Sequence, residues 1–266
     1  MLTISLVILT TLCFASVTGI VLAQQAGYEI EDFRAETEPT IDGKWSSSFE
    51  WADAAEGQLG GSPNAIFRIK HDNELITSDI IFYYVLVEVL DDTVSDAEDY
   101  LQICFAAASE SGGTPTGGTA PQTDCVRFDY VGHDAGGFTF YRGDGSAWVE
   151  ETNYRWGIDI SIVDSFTSSP LSGANHLVIE AKIAAAAFSI RPEYWLRVEA
   201  YDESNQDVVR AWPVGSGDIP NDWGLVETVN DTIPEFSTWL IIPLFATATL
   251  IVIIARKRLT KSGALH

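Results

Sequence analysis

Basic residues are scarce in this chain of 266 residues, which has 15 Lys and Arg against 38 Asp and Glu and a formal net charge of −23. Four of the bases lie in the range 256–261, beyond the last acidic residue, Glu235, so the preceding chain is more acidic still. Such a surface repels phosphate groups. We therefore expect no nucleic acid or anionic lipid surface among the partners of this protein.

Sequence motifs of catalysis are also missing. The chain has no G-x-S-x-G elbow, no H-E-x-x-H pair and no glycine-rich phosphate loop. We therefore do not predict an enzyme. The acidic excess is typical of a solvated coat, with binding of a cation as the alternative.

Long apolar runs are confined to the two ends of the chain. Residues 236–255 carry no charge and precede Arg256-Lys257-Arg258, a pattern typical of one membrane-spanning helix with a cytoplasmic tail. Residues 1–23 resemble a signal peptide, with an uncleaved anchor as the alternative. We expect a single-pass membrane protein whose bulk lies outside the cell.

These signals divide the chain into six parts. The predicted parts are a signal peptide (1–23), an acidic segment (24–38), an extracellular domain (39–228), a stalk (229–235), a transmembrane helix (236–255) and a basic tail (256–266). Asn230 begins an Asn-Asp-Thr glycosylation sequon in the stalk.

Cysteine is rare, with three in the chain. Cys13 falls in the predicted signal peptide, which leaves Cys104 and Cys125 in an oxidising compartment. We predict a disulfide between them, closing a loop rich in Gly, Ser and Thr.

Helical periodicity is weak between the two ends, whereas short β-rich runs recur between turn signals. This pattern predicts an all-β fold, an antiparallel β-sandwich of the immunoglobulin-like or jelly-roll kind. The predicted strands are 65–70, 79–90, 100–106, 126–131, 137–141, 147–150, 154–163, 176–183, 194–201 and 208–212, with one helical turn at 184–188.

Several motifs together resemble carbohydrate-binding module family 9 and its DOMON-like relatives. They are Pro39-Thr40-Ile41-Asp42-Gly43, Trp51-Ala52-Asp53-Ala54, the run 82–92, the run 98–103, the run 177–183, Arg197 to Asp202, Arg210-Ala211-Trp212-Pro213 and Asn221-Asp222-Trp223-Gly224. Separately, Ile233-Pro234-Glu235-Phe236 before the apolar run is similar to the Pro-Glu-Phe C-termini of archaeal surface proteins.

The first resemblance implies a sugar-binding β-sandwich with a structural calcium ion. The paired tryptophans of the sugar-binding members have no counterpart beside Ala97 or in residues 214–219. Some DOMON relatives instead hold haem between Met and His. We expect calcium rather than haem, because Met1 is the one methionine and only a pair among His71, His133 and His176 could ligate the iron.

Two groups of residues are the candidate sites. Trp148 and Trp156 flank a predicted loop and could stack on a sugar, whereas Trp51, Trp195 and Trp212 lie in strand-like runs and are predicted core. Carboxylates that could bind calcium, or simply be solvated, follow the second predicted strand. They are Asp91, Asp92, Asp96 and Asp99.

We therefore expect a cell-surface binding module whose partner is an extracellular polysaccharide or surface glycan. The alternatives are a structural or interaction protein that binds an envelope protein and no small ligand, and, more remotely, a DOMON-type haem electron-transfer domain.

Overall fold

The structure is a computed structural model that describes residues 28–73, 80–107, 121–133, 137–190, 193–205, 209–217 and 220–229. The predicted signal peptide, the sequon at Asn230 and the apolar run 236–255 lie outside these residues. Within the described ranges, no helix is both long and apolar enough to cross a bilayer.

The described residues form thirteen strands in one curled, mixed sheet, which confirms the predicted all-β class. The strands are β1 (Glu29–Arg34), β2 (Ala55–Gln58), β3 (Ala65–Asn73), β4 (Ile80–Val89), β5 (Tyr100–Ala107), β6 (Cys125–Val131), β7 (Phe138–Gly143), β8 (Trp148–Glu151), β9 (Ile160–Thr167), β10 (His176–Ala184), β11 (Glu193–Tyr201), β12 (Val209–Trp212) and β13 (Gly224–Val229). The predicted helical turn is present as α1 (Ala185–Phe188), and 3₁₀ turns cover Leu59–Gly61, Glu203–Asn205 and Pro220–Asp222.

The strand order is β8-β7-β6-β5-β11-β13-β1-β3-β4-β10-β9, with β12 paired to β11 and β2 paired to β3. Strand β1 is parallel to both of its neighbours, β13 and β3, whereas all other strand pairs are antiparallel. The prediction of a purely antiparallel sheet was therefore wrong at β1. This strand joins a β5 half of the sheet (β5 to β8 with β11 to β13) to a β4 half (β2 to β4 with β9 and β10).

The two halves curl around a shared apolar interior. It includes Phe128 and Leu196 from the β5 half and Phe67 and Val87 from the β4 half, all at most 1% exposed. Burial of such side chains contributes about 1.5–3 kcal/mol each. Strands alternate their side chains between this interior and the outer side of the sheet.

The outer side of the β4 half is covered by residues 41–54. Trp45 and Trp51 pack there on Tyr84, Leu86 and Val178. Strand β4 is therefore buried on both faces, which explains its almost wholly apolar sequence.

A glycine turn fixes the start of this covering segment. Gly43 has φ 74°, and a Cβ at this position would stand 2.7 Å from the carbonyl carbon of Asp164. Only glycine combines this backbone conformation with so close an approach.

The tryptophans predicted as core are buried at Trp51 and Trp212, which are 0% and 4% exposed. Trp195 is half-buried instead, because its strand position points to the outer side of the β5 half.

Cys104 and Cys125 are free, buried thiols, so the predicted disulfide is not formed. The register explains this result, because Cys125 stands opposite Ala106 and Cys104 stands opposite Arg127. The two cysteines are thus diagonal neighbours, at a typical Cα separation of about 7–8 Å. A disulfide favours a separation of about 5.5–6 Å.

Candidate functional site

Three buried aspartates meet at one end of the curled sheet. Asp92 follows β4, Asp99 precedes β5 and Asp202 follows β11, and one carboxylate oxygen of each lies within 4.8 Å of the others. Their residues are 0%, 1% and 3% exposed. We call this group the carboxylate cluster; it draws on both halves of the sheet.

The cluster has more acceptors than donors. Asp99 is satisfied, since its Oδ1 accepts the Glu203 amide at 2.8 Å and its Oδ2 accepts the Asp96 amide at 3.1 Å. In contrast, Oδ2 of Asp92 and Oδ2 of Asp202 are buried and accept no hydrogen bond from any residue that the structure describes. Buried acceptors without donors are costly, at about 1–3 kcal/mol each.

The electrostatics confirm the crowding of negative charge. Burial, followed by the charges of Asp99 and Asp202, raises the pKa of Asp92 to about 7. A bound divalent cation would reverse this effect, because it stabilises the ionised carboxylates.

The donor set fits a hard cation such as calcium. Calcium takes about 6–8 oxygen ligands, and three carboxylates with two uncommitted oxygens can supply several of them. Zinc fits poorly, because neither histidine nor thiolate is among the three grouped side chains.

His133 braces the cluster. Its Nε2 lies 3.1 Å from Asp99 Oδ2 and its Nδ1 lies 2.7 Å from Asp164 Oδ2. Burial alone would lower the pKa of His133, but these two carboxylates outweigh burial and raise it. Tyr130 donates to Asp164 Oδ1 at 2.6 Å, so β6 and β9 are also tied together here.

Two of the four predicted metal ligands, Asp92 and Asp99, are brought together, and the other two are not. Arg210 holds Asp91 through two hydrogen bonds of 2.5 and 2.8 Å. Burial raises and this guanidinium lowers the pKa of Asp91, and the net direction is downward. Asp96 offers its amide to Asp99 and lies outside the grouped carboxylates.

Asp202 is the member of the carboxylate cluster that the sequence did not predict. It lies 103 positions after Asp99, but Tyr100 and Tyr201 are direct cross-strand partners, so the residues flanking them meet. The signal was present as mirror-image dipeptides, Asp99-Tyr100 and Tyr201-Asp202, at the ends of two predicted strands.

The outer side of the β5 half carries a second set of polar and aromatic side chains beside the cluster. We call the partly exposed members Tyr100, Arg127, Asp129, Tyr141 and Tyr201 the outer face. Tyr100 and Tyr201 stack at 5.2 Å with an interplanar angle of 17°. Arg127 lies 5.1 Å from the Tyr141 ring and 2.6 Å from Asp129.

The charges beneath the outer face are paired. Buried Arg197 donates to Gln102 and Glu199, and its Nε donates to the Ser216 carbonyl at 3.1 Å. Tyr100 donates to Glu199 at 2.6 Å. The outer face therefore presents fixed donors and acceptors without a large unpaired charge.

The structure separates the two predicted stacking residues. Trp148 packs at the border of the outer side of the β5 half, where it stacks on Trp223 at 6.4 Å with an angle of 7°. Trp156 is 38% exposed and contacts Phe138, a member of the interior, at 5.1 Å. They do not form one clamp.

The three candidate haem histidines face carboxylates. His71 lies 3.3 Å from Asp32, and His176 uses Nε2 on Glu88 at 3.0 Å and Nδ1 on the Ala174 carbonyl at 2.9 Å. With both nitrogens of His133 also engaged, haem ligation by any two of these histidines would break existing contacts.

Comparison with known proteins identifies no relative. No family model matches the chain, and neither a curated protein nor a solved structure is significantly similar to it. The resemblance to carbohydrate-binding module family 9 thus stays a prediction.

Proposed function

We propose that this protein is a surface-anchored binding module that contacts a neutral extracellular polysaccharide through its outer face. One observation carries the proposal. The outer face joins aromatic rings (Tyr100, Tyr141 and Tyr201) to a paired donor and acceptor, Arg127 and Asp129. Sugars are bound by such combinations, since rings cover their C–H faces and paired polar groups meet their hydroxyls.

The negative charge of the chain indicates which class of polysaccharide it could bind. With a net charge of −23, the protein repels anionic polymers such as polyuronates. We therefore expect a neutral glycan.

The finer architecture belongs to the same proposal. We treat the curled sheet as a DOMON-like β-sandwich whose two layers are the β5 and β4 halves. Calcium is proposed as a structural cofactor held by the carboxylate cluster, which links Asp92 of the β4 half to Asp99 and Asp202 of the β5 half. The uncharged run 236–255 and the basic triplet after it support an anchor that leaves the sheet outside the cell.

A glycan array with the full-length protein in mild detergent tests the function. Tyr141→Ala should lower binding by about 10-fold or more, since aromatic stacking is worth about 0.5–1.5 kcal/mol beyond area burial. Trp156→Ala is the matched control, an exposed aromatic away from the outer face, and should bind as the wild type does. No binding to any glycan, with and without calcium, would reject the proposal.

The alternative is an interaction protein of the envelope with no small ligand. One observation favours it: Trp148 is half-buried in a stack with Trp223 rather than freely exposed. This alternative predicts no binding to any glycan on the array and capture of a protein partner from the cell envelope.

A further inference from the structure

The cation ligands and the tyrosine stack are adjacent in the chain on both strands. Asp99 immediately precedes Tyr100, and Asp202 immediately follows Tyr201. Because side chains alternate along a strand, the two aspartates turn towards the carboxylate cluster while the two rings lie on the outer face. One pair of strand ends thus carries both sites.

The Tyr100–Tyr201 stack is tied to the strand ends that carry the cluster. Tyr100 and Tyr201 are cross-strand partners at the last register position of β5 with β11, so their separation follows the separation of the strand ends. The Tyr100 hydroxyl holds Glu199, which in turn holds buried Arg197. A displacement of the strand ends therefore reaches the polar network beneath the outer face.

The cluster supplies the force for such a displacement. Asp99 and Asp202 are buried like charges when no cation is present, and like charges repel most strongly in a poorly solvated site. A cation converts this repulsion into attraction to a shared centre. The ends of β5 and β11 are accordingly drawn together when a cation is bound and pushed apart when it is absent.

We propose that cation occupancy of the carboxylate cluster sets the geometry of the Tyr100–Tyr201 stack and thereby the affinity of the outer face for its ligand. The second half of this inference rests on the proposed function, whereas the first half does not. Linkage makes the effect reciprocal, so a ligand on the outer face tightens cation binding by the same factor. We expect a factor of about 10, within the usual range for coupled sites.

The first half is tested with calcium alone, on the full-length protein in mild detergent. Calcium binding is measured by calorimetry, and the tyrosine band is followed by near-ultraviolet circular dichroism during the same titration. The wild type should show a change in this band with the calorimetric midpoint. Tyr201→Leu should bind calcium within about 3-fold of wild type but lose most of that change.

Tyr28→Leu is the matched control, because Tyr28 is 45% exposed and contacts Trp212 rather than the stack. It should retain the full calcium-dependent change. Calcium binding without any change in the tyrosine band, or an undiminished change in Tyr201→Leu, would overturn the inference and leave the cation site intact. Absence of calcium binding would overturn both.

The second half is tested on the glycan array with calcium and with a chelator. Binding that falls by about 10-fold on chelation supports the coupling. Equal binding under both conditions overturns the coupling while the proposed function stands, and an empty array overturns the proposed function instead.

Discussion

Two buried acidic sites of this protein differ in whether their carboxylate oxygens receive hydrogen bonds from the protein. Glu180 is satisfied by the protein: its Oε2 accepts the amides of Asp42 and Gly43 at 2.9 Å each, and its Oε1 accepts Trp51 Nε1 at 3.0 Å. The carboxylate cluster gathers three carboxylates, and within the described ranges no residue donates a hydrogen bond to Oδ2 of Asp92 or of Asp202.

The difference shows that burial alone does not mark a cation site. Burial raises the pKa of Glu180 to about 7, the same value reached by Asp92. At Glu180 the opposing influences are hydrogen bonds from Asp42, Trp51 and Lys44, whereas at Asp92 two further carboxylates add to the effect of burial. Glu180 already has its hydrogen-bond donors, whereas we propose that a cation completes the carboxylate cluster.

Loss of Glu180 should have the largest effect on stability. Glu180→Ala leaves the N–H groups of residues 42, 43 and 51 without their acceptor and should lower the free energy of unfolding by about 3 kcal/mol or more. Urea unfolding checks this, with Glu150→Gln at an exposed position expected to stay within about 0.5 kcal/mol of wild type. The loss should be equal with and without calcium, and a calcium-dependent loss would break the distinction between the two sites.

The effect of Asp202→Asn on stability should change sign when calcium is added. Asn keeps the Oδ1 acceptor for Ser204 and Asn205 but removes one negative charge. Without calcium the variant should be more stable than wild type by about 1 kcal/mol, since one like-charge repulsion is gone. With saturating calcium it should be less stable than wild type, because the wild type binds calcium more tightly and gains more stability from it.

Asp96→Asn is the control for this experiment, because Asp96 lies between Asp92 and Asp99 in the chain but outside the cluster. Its thermal midpoint should respond to calcium as the wild type does. An Asp202→Asn variant that is destabilised under both conditions would show that the cluster is not strained when empty.

Stability without calcium should fall as the pH rises from about 4 to about 7. The folded protein holds a proton on Asp92, whose pKa is raised to about 7, whereas the unfolded chain has released it. The raised pKa of His133 acts in the same direction, since its contribution is lost as the pH rises through its folded pKa. Glu180 contributes similarly and independently of calcium.

Saturating calcium should remove the contribution of Asp92 to this dependence of stability on pH, and the contribution of Glu180 should remain. Urea midpoints at about pH 5 and about pH 7.5, each with calcium and with a chelator, measure the difference. The same slope in all conditions would contradict a cation at Asp92.

His133→Gln should weaken calcium binding less than Asp202→Asn does. Removing the brace between Asp99 and Asp164 should weaken calcium binding by about 10-fold, as is usual for residues that orient a ligand. Calorimetry measures the affinity. A variant with unchanged affinity would show that Asp99 is positioned by its amide donors alone.

The sequence predicted the strands whose burial requires an apolar sequence. Strand β4, predicted at 79–90, runs from Ile80 to Val89, because both of its faces are covered. Strand β1 was missed because Glu29–Arg34 is acidic and reads as a solvated segment, yet it lies between the two halves of the sheet. Strand β9 starts at Ile160, six residues later than predicted, since residues 154–159 form an irregular segment held by the Arg155–Asp159 ion pair.

The candidate site was predictable only where its residues are close in sequence. Asp92 and Asp99 share one acidic run, whereas Asp202 joins them through the pairing of β5 with β11. Spacing in a single sequence does not show which strands pair. The same limit applies to the outer face, whose residues come from four strands.

Calcium titration of the full-length wild type alongside Asp202→Asn is the most direct test of the carboxylate cluster. We expect one calcium ion per chain, bound with a millimolar or tighter dissociation constant typical of extracellular modules, and proton release near neutral pH as Asp92 ionises. We also expect Asp202→Asn to bind calcium at least about 10-fold more weakly. A wild type that takes up no calcium, or a variant that binds it equally well, would contradict a cation site at the carboxylate cluster.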